Sequence, residues 1–119
     1  MKRVLIVEDH EDMRLVYELV FRRIENVVIV GEAERADEAL QKVRDLKPDV
    51  VVVDISLPGM DGISLTRILH EEHPNMRILI ATGHDTEDYR AAAIDAGADA
   101  YLVKGNAKAM SSKIRALME

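Results

Sequence analysis

At 119 residues the chain fits one domain and leaves no room for two, so residues 1–119 are taken as a single domain. Cysteine is absent, which excludes a disulfide framework and a thiolate metal site. The net charge is −6 and no basic cluster is longer than a pair such as Arg22-Arg23, which argues against direct binding of nucleic acid through its phosphates.

In chain order, Met1-Lys2-Arg3 leads into Val4–Val7 before Glu8 and Asp9 interrupt. That apolar run is too short for a secretory signal or a membrane span, so a cytoplasmic location without a membrane partner is expected. Arg3 to Val7 reads as a first strand. Met13, Val16, Val20 and Ile24 then recur at helical spacing, while Tyr17 and Phe21, four apart on the same helix, are expected to pack or to frame a partner contact. Val27 to Val30 is a second strand. Ala36, Ala39, Leu40 and Val43 stripe a second helix, which ends before Pro48. Val50 to Val53 is a third strand, followed by a turn-rich loop at Leu57-Pro58-Gly59 and Asp61-Gly62, with Asp61 placed to cap the next helix. Leu65, Ile68 and Leu69 mark that third helix, and Pro74 follows it. His70-Glu71-Glu72-His73 lacks the histidine spacing of a zinc protease and reads as solvated surface. Ile78 to Ala81 is a fourth strand, Thr86 to Ala96 an alanine-rich fourth helix with Gly97 as its left-handed cap, Ala100 to Val103 a fifth strand, and Ala107 to Met118 a fifth helix.

Short apolar runs, mostly rich in branched residues, suit strands buried on both faces, and five β-α repeats predict an α/β domain with a parallel sheet and right-handed crossovers. In such sheets ligands bind at the carboxyl ends of the strands. The first run ends in Glu8-Asp9, the third in Asp54, the fourth in Thr82 and the fifth in Lys104. The second ends in Gly31-Glu32, as befits a strand at the sheet margin. Each of these residues alone fits a solvated loop; the set carries more weight. Carboxylates on neighbouring strands sit about 5 Å apart, and at an effective dielectric near 20 each pair repels by roughly 3 kcal/mol. A hard divalent cation removes the conflict, and an oxygen-only ligand set selects Mg²⁺. Asp54, fixed behind four valines, is the candidate nucleophile for an acyl phosphate; Thr82 can donate to a phosphoryl oxygen and Lys104 supplies compact positive charge.

Val4-Leu5-Ile6-Val7-Glu8-Asp9-His10, Val53-Asp54-Ile55-Ser56-Leu57-Pro58-Gly59-Met60-Asp61-Gly62, Ala81-Thr82-Gly83 and Gly97-Ala98-Asp99-Ala100-Tyr101-Leu102-Val103-Lys104 together resemble the receiver domain of two-component response regulators, in the style of receivers that precede LuxR/NarL-type output domains. The resemblance implies a flavodoxin-like, doubly wound (βα)5 fold with strand order 2-1-3-4-5. It implies a phosphorelay switch that is not an enzyme in the ordinary sense: Asp54 receives a phosphoryl group from a phosphohistidine of a histidine kinase or phosphotransfer protein, and the domain supports its own phosphorylation and slow dephosphorylation. Asp9, Asp54 and the backbone carbonyl of Ser56 would ligate Mg²⁺, with Glu8 acting mainly through water. Thr82 and Lys104 would hold the phosphoryl group, Tyr101 would be the switch aromatic, and Ser56 and His84 would tune phosphate lifetime. The fourth helix, fifth strand and fifth helix would form the output face, for a second copy or a following output domain. Two departures from the family pattern stand out: Glu8 replaces the first aspartate of the acidic pair, and Gly105 replaces the proline that usually follows the lysine in a cis bond, so a looser or trans loop is expected at Lys104.

Other readings attach to several of these residues. His10 reads as loop surface with a smaller chance of touching the site, and Tyr101 as a half-buried strand aromatic. A phosphohydrolase with an aspartyl-phosphate intermediate needs a second acid two residues after the nucleophile, where Ser56 stands. A degenerate receiver that only mediates contacts would lack functional residue types at the key positions, and all are present.

Overall fold

A computed structural model of the chain describes residues 1–105 and 107–118. Strands and helices alternate: β1 (Lys2–Val7), α1 (Glu11–Arg22), β2 (Val27–Ala33), α2 (Ala36–Leu46), β3 (Val50–Asp54), α3 (Gly62–Glu72), β4 (Arg77–Thr82), α4 (Glu87–Ala96), β5 (Ala100–Val103) and α5 (Ala107–Met118). All neighbouring strands pair in parallel, in the order β2-β1-β3-β4-β5. This is the flavodoxin-like doubly wound sheet expected from the sequence.

The two-residue period of the strands splits the core in two. Leu5, Val7, Val51, Val53, Ile78 and Ile80 face one side, where α2, α3 and α4 bring Ala39, Val43, Leu65, Leu69 and Ala93. Val4, Ile6, Val50, Val52, Leu79 and Ala81 face the other, covered by Tyr17, Val20 and Phe21 of α1 and Met110 and Ile114 of α5. The chain winds to one side of β1 for β2 and to the other for β3, so the switch in strand order opens a crevice at the carboxyl ends of β1 and β3.

Local signals set the helix ends. Asp61 Oδ1 accepts from the Ser64 N–H at 2.9 Å and caps α3 as its position predicted. Thr86 is the cap of α4 instead of its first residue: its Oγ1 accepts from the Tyr89 N–H at 3.1 Å. Gly97 closes α4 at φ 105°, the left-handed backbone for which glycine is suited.

Two elements differ from the sequence reading. β2 continues past Val30 through Gly31 and Glu32 to Ala33, because the register with β1 shifts after Val4 and pairing then runs on to Val7 opposite Ala33. A margin strand tolerates the glycine and the charge. On α1 the buried face is Tyr17, Val20 and Phe21, whereas Met13 and Val16 are only partly covered and Ile24 lies beyond the helix end. Tyr17 and Phe21 are core residues, and Leu15 and Leu19 of the same helix are the exposed ones.

Candidate functional site

Four strand ends meet at one edge of the sheet. The Glu8 N–H donates to the Ala33 carbonyl at 2.9 Å, tying the end of β1 to β2. Asp54 is the last residue of β3, paired with Ala81 of β4, and the Ile55 N–H donates to the Ala81 carbonyl at 3.1 Å. The Lys104 N–H donates to the Thr82 carbonyl at 2.8 Å, aligning the exits of β4 and β5. The loop after β3 folds back so tightly that a Cβ on Gly62 would lie 2.1 Å from the Asp54 carbonyl oxygen. Glycine is required there by close approach.

This frame brings Glu8, Asp9, Asp54 and Lys104 together. Lys104 Nζ lies 2.5 Å from Glu8 Oε1 and 3.1 Å from Asp54 Oδ1. Glu8 is fully buried and Asp54 is 4 % exposed. Asp9 is partly open to solvent, yet its Oδ1 is buried without a hydrogen-bond partner among the described residues; His10 Nδ1 lies 3.1 Å away without aligned hydrogen-bond geometry. One ligand atom from each of Glu8, Asp9, His10 and Asp54 falls within 4.8 Å of all the others. A set dominated by carboxylate oxygens, with a buried oxygen lacking a donor, fits a bound divalent cation.

The two buried acids respond oppositely to this setting. Burial pushes the Asp54 carboxyl up, to about 6; Lys104 pulls it down and Glu8 pushes it further up. Burial also pushes Glu8 up, but hydrogen bonding and charge from Lys104, with help from His10, outweigh it, and Glu8 sits below the usual range. The lysine thus holds Glu8 ionised, and Asp54 bears the cost of the shared cavity.

Thr82 is buried beside them, but its hydroxyl is engaged within its own loop: it donates to the His84 carbonyl at 3.2 Å and accepts from the His84 N–H at 3.0 Å. Tyr101 is 7 % exposed, more buried than a half-covered strand aromatic, and its phenol reaches the same His84 carbonyl at 3.5 Å. The His84 backbone therefore links Thr82 to Tyr101, while the residue as a whole is exposed. Ser56 is exposed, and its N–H lies 3.4 Å from Asp54 Oδ1. The Lys104–Gly105 peptide bond is trans, and Gly105 takes φ 110°.

His10 is exposed, as a loop-surface residue should be, and the smaller expectation of contact with the site holds as well, since its ring turns back to Glu8 and Asp9. The signal was its place at the N-cap of α1, where a capping side chain is usual and histidine is not. Arg90 of α4 lies 4.7 Å over the Tyr101 ring and is held by Asp85 at 2.7 Å. Nothing local in the sequence pairs positions 90 and 101.

The comparisons with known proteins place this α/β sheet, with acids, a threonine and a lysine at its carboxyl edge, among regulatory domains of two-component signalling. The family model of the response regulator receiver domain matches residues 4–115, and the chain belongs to that family. It is 36% identical over 105 residues to the response regulator GacA of Pseudomonas viridiflava, covering 88% of this chain and 49% of that protein. It thus spans about half the length of that curated relative. Among solved structures, a LuxR-family two-component response regulator from Aurantimonas sp. SI85-9A1 superposes with a TM-score of 0.92 at 33% identity, covering 99% of this chain and 85% of that one. The isolated REC domain of RcsB from Salmonella enterica serovar Typhimurium, solved in the presence of the phosphomimetic BeF3-, gives 0.91 at 25% identity, covering 98% and 88%.

Proposed function

We propose that residues 1–119 form one receiver domain in which Asp54 accepts a phosphoryl group, in a divalent-cation-dependent step, and that the modified state is read on the face made by α4, β5 and α5. The observation that carries this is the position of Asp54: a nearly buried carboxylate at a strand end, 3.1 Å from a lysine ammonium and within one cluster of acids. Asp9, Asp54 and the Ser56 backbone carbonyl would hold Mg²⁺, with Glu8 behind them; when bound, the ion neutralises the acids and the incoming phosphate oxygens.

In the transfer, an Asp54 carboxylate oxygen forms a bond to phosphorus as the P–N bond of a kinase or phosphotransfer-protein phosphohistidine breaks. The electron pair leaves on the imidazole nitrogen. Lys104 holds charge on the transferred group. Phosphate oxygens then compete with the His84 carbonyl for the Thr82 hydroxyl, which releases the link to Tyr101 and biases the loop before α4. Ser56 and His84 flank the site and set how fast water reaches the acyl phosphate, so the domain dephosphorylates slowly by itself. α4 suits the moving part: it buries only Ala93 and Ala96 and leaves Ile94 67 % exposed. The RcsB receiver, solved with a phosphomimetic, supports the assignment by analogy. A second copy or a following output domain would use this face. Acidic charge speaks against nucleic acid binding by the domain itself. Among the described residues no helix is long and apolar enough to cross a membrane, and the proposed partner kinase places the domain in the cytoplasm.

Incubation with acetyl phosphate, with and without Mg²⁺, tests this. Intact-mass analysis should show one added phosphoryl group in the parent with metal, and none without metal or in Asp54→Asn. An equal gain in Asp54→Asn overturns the assignment.

A further inference from the structure

We infer that His10 is a direct ligand for the divalent cation and makes this site favour borderline later first-row transition ions, such as Co²⁺ or Ni²⁺, over Mg²⁺ more strongly than the carboxylates alone would. This inference rests on the cation site proposed above.

Three observations converge. His10 Nδ1 stands 3.1 Å from Asp9 Oδ1, with which it makes no hydrogen bond, and 3.2 Å from Glu8 Oε2, with which it does. Ligands around one octahedral ion at about 2.1 Å are separated by about 3.0 Å when adjacent, so the imidazole nitrogen already lies at a neighbouring ligand's separation from Asp9. Second, Glu8 is divided between two tasks: Oε1 meets Lys104, while Oε2 faces His10 and accepts its backbone N–H at 3.2 Å. That backbone contact fixes the root of the ring. Third, His10 occupies the N-cap of α1 and does no capping. Serine, aspartate or asparagine there would satisfy an orphan N–H of the helix. A locally unfavoured residue whose side chain leaves its helix and turns into an acidic cluster marks a position chosen for the cluster.

The chemistry follows from ligand type. Mg²⁺ prefers oxygen and keeps its waters, whereas imidazole suits later first-row ions, whose affinity for nitrogen rises along the series. A nitrogen beside Asp9 and Asp54 therefore adds affinity selectively. It leaves Mg²⁺ binding to the carboxylates largely unchanged.

Calorimetric titration of Mg²⁺ and Co²⁺ into the parent, His10→Ala and Asp9→Asn tests this, with proton NMR of the Co²⁺ forms as a second readout. The expected result is a loss of roughly tenfold or more in Co²⁺ affinity in His10→Ala, with Mg²⁺ affinity held within about twofold. The parent should also show a hyperfine-shifted imidazole N–H that His10→Ala lacks. Co²⁺ affinity unchanged in His10→Ala, or equal losses for both ions, overturns the inference while leaving the carboxylate site intact, as Asp9→Asn would still lose Mg²⁺. Failure of the parent to bind either ion overturns the inference together with the site on which it rests.

Discussion

Lys104 and Glu8 come from opposite ends of the chain and meet at 2.5 Å, with Lys104 largely covered and Glu8 fully so. The same ammonium lies 3.1 Å from Asp54 Oδ1, so one lysine serves both buried acids of the site. A buried ion pair adds little net stability over an apolar one, but removing one partner strands the other. Lys104→Met should therefore destabilise the protein by about 3 kcal/mol at neutral pH. The double substitution Lys104→Met with Glu8→Gln should recover a good part of that loss. Urea unfolding of the three proteins measures it, and equal stability of parent and Lys104→Met would show that the pair is not structurally significant.

Asp54 gives the metal-free protein a pH dependence of unusual sign. Its folded pKa is about 6, above the ordinary aspartate value of 3.8, so the folded state binds this proton more tightly than the unfolded one. The stabilisation is full below the unfolded value and is lost as pH rises from about 4 through 6. Glu8 works the other way: its folded pKa is lowered, so its contribution is present above 4.5 and is lost as pH falls. In EDTA at pH 7.5, Asp54→Asn should be more stable than the parent by about 1–2 kcal/mol, with the gap closing near pH 4.5. Denaturant titrations at the two pH values check this; a less stable Asp54→Asn at pH 7.5 would contradict it.

Tyr17 lies in the core under α1, and its hydroxyl is buried without a hydrogen-bond partner among the described residues. Desolvation and the nearby charges of Glu8 and Asp54 push its pKa up. Tyr17→Phe removes a desolvated polar group and keeps the ring, so stability should rise by about 0.5–1 kcal/mol. A loss of more than about 1 kcal/mol in thermal or urea unfolding would mean that the hydroxyl has a partner worth one hydrogen bond.

Arg90 holds the Tyr101 ring from above, 4.7 Å from its centroid. Arg90→Ala should leave the fold intact, lower stability by about 0.5–1 kcal/mol, and broaden the Tyr101 ring signals in NMR through exchange. Ring signals as sharp as those of the parent would show that Arg90 does not restrain the Tyr101 ring.

The fold was legible because every level of the sequence agreed: five branched runs, helical stripes between them, and Asp61 and Gly97 at helix ends. The exceptions have physical causes. Gly31 and Glu32 lie on a margin strand, where apolar content need not mark the limit of pairing, so β2 outran its valines. On α1, Tyr17 and Phe21 are large enough to reach the core from a face that a stripe of smaller residues failed to locate. At the site, Glu8, Asp9, Asp54, Thr82 and Lys104 announced themselves by standing at strand ends, since topology fixes where strand ends go. Arg90 did not, because its partner depends on how a guanidinium turns, and His10 was legible only as a loop residue with a smaller chance of touching the site. Nor did the sequence foretell that the Thr82 hydroxyl would be held by the His84 backbone, a turn closed by local geometry.

Gly62 tests how tightly the acceptor loop is built. A Cβ there would meet the backbone of Asp54 and Ile55, which cannot swing aside as a side chain can. Gly62→Ala should cost about 2 kcal/mol or more and disturb Asp54 first. The stability change and the Asp54 amide shift in NMR check this; an unperturbed Asp54 resonance would contradict it.

The crowded carboxylate at position 54 is the one proposed to become an acyl phosphate. Borohydride reduction converts an aspartyl phosphate to homoserine, so reduction after incubation with acetyl phosphate and Mg²⁺, followed by peptide sequencing in a mass spectrometer, locates the modified residue directly. Homoserine is expected at position 54 alone, and only when Mg²⁺ was present; homoserine at another carboxylate, or none at position 54 despite metal, would mean that Asp54 is not the acceptor.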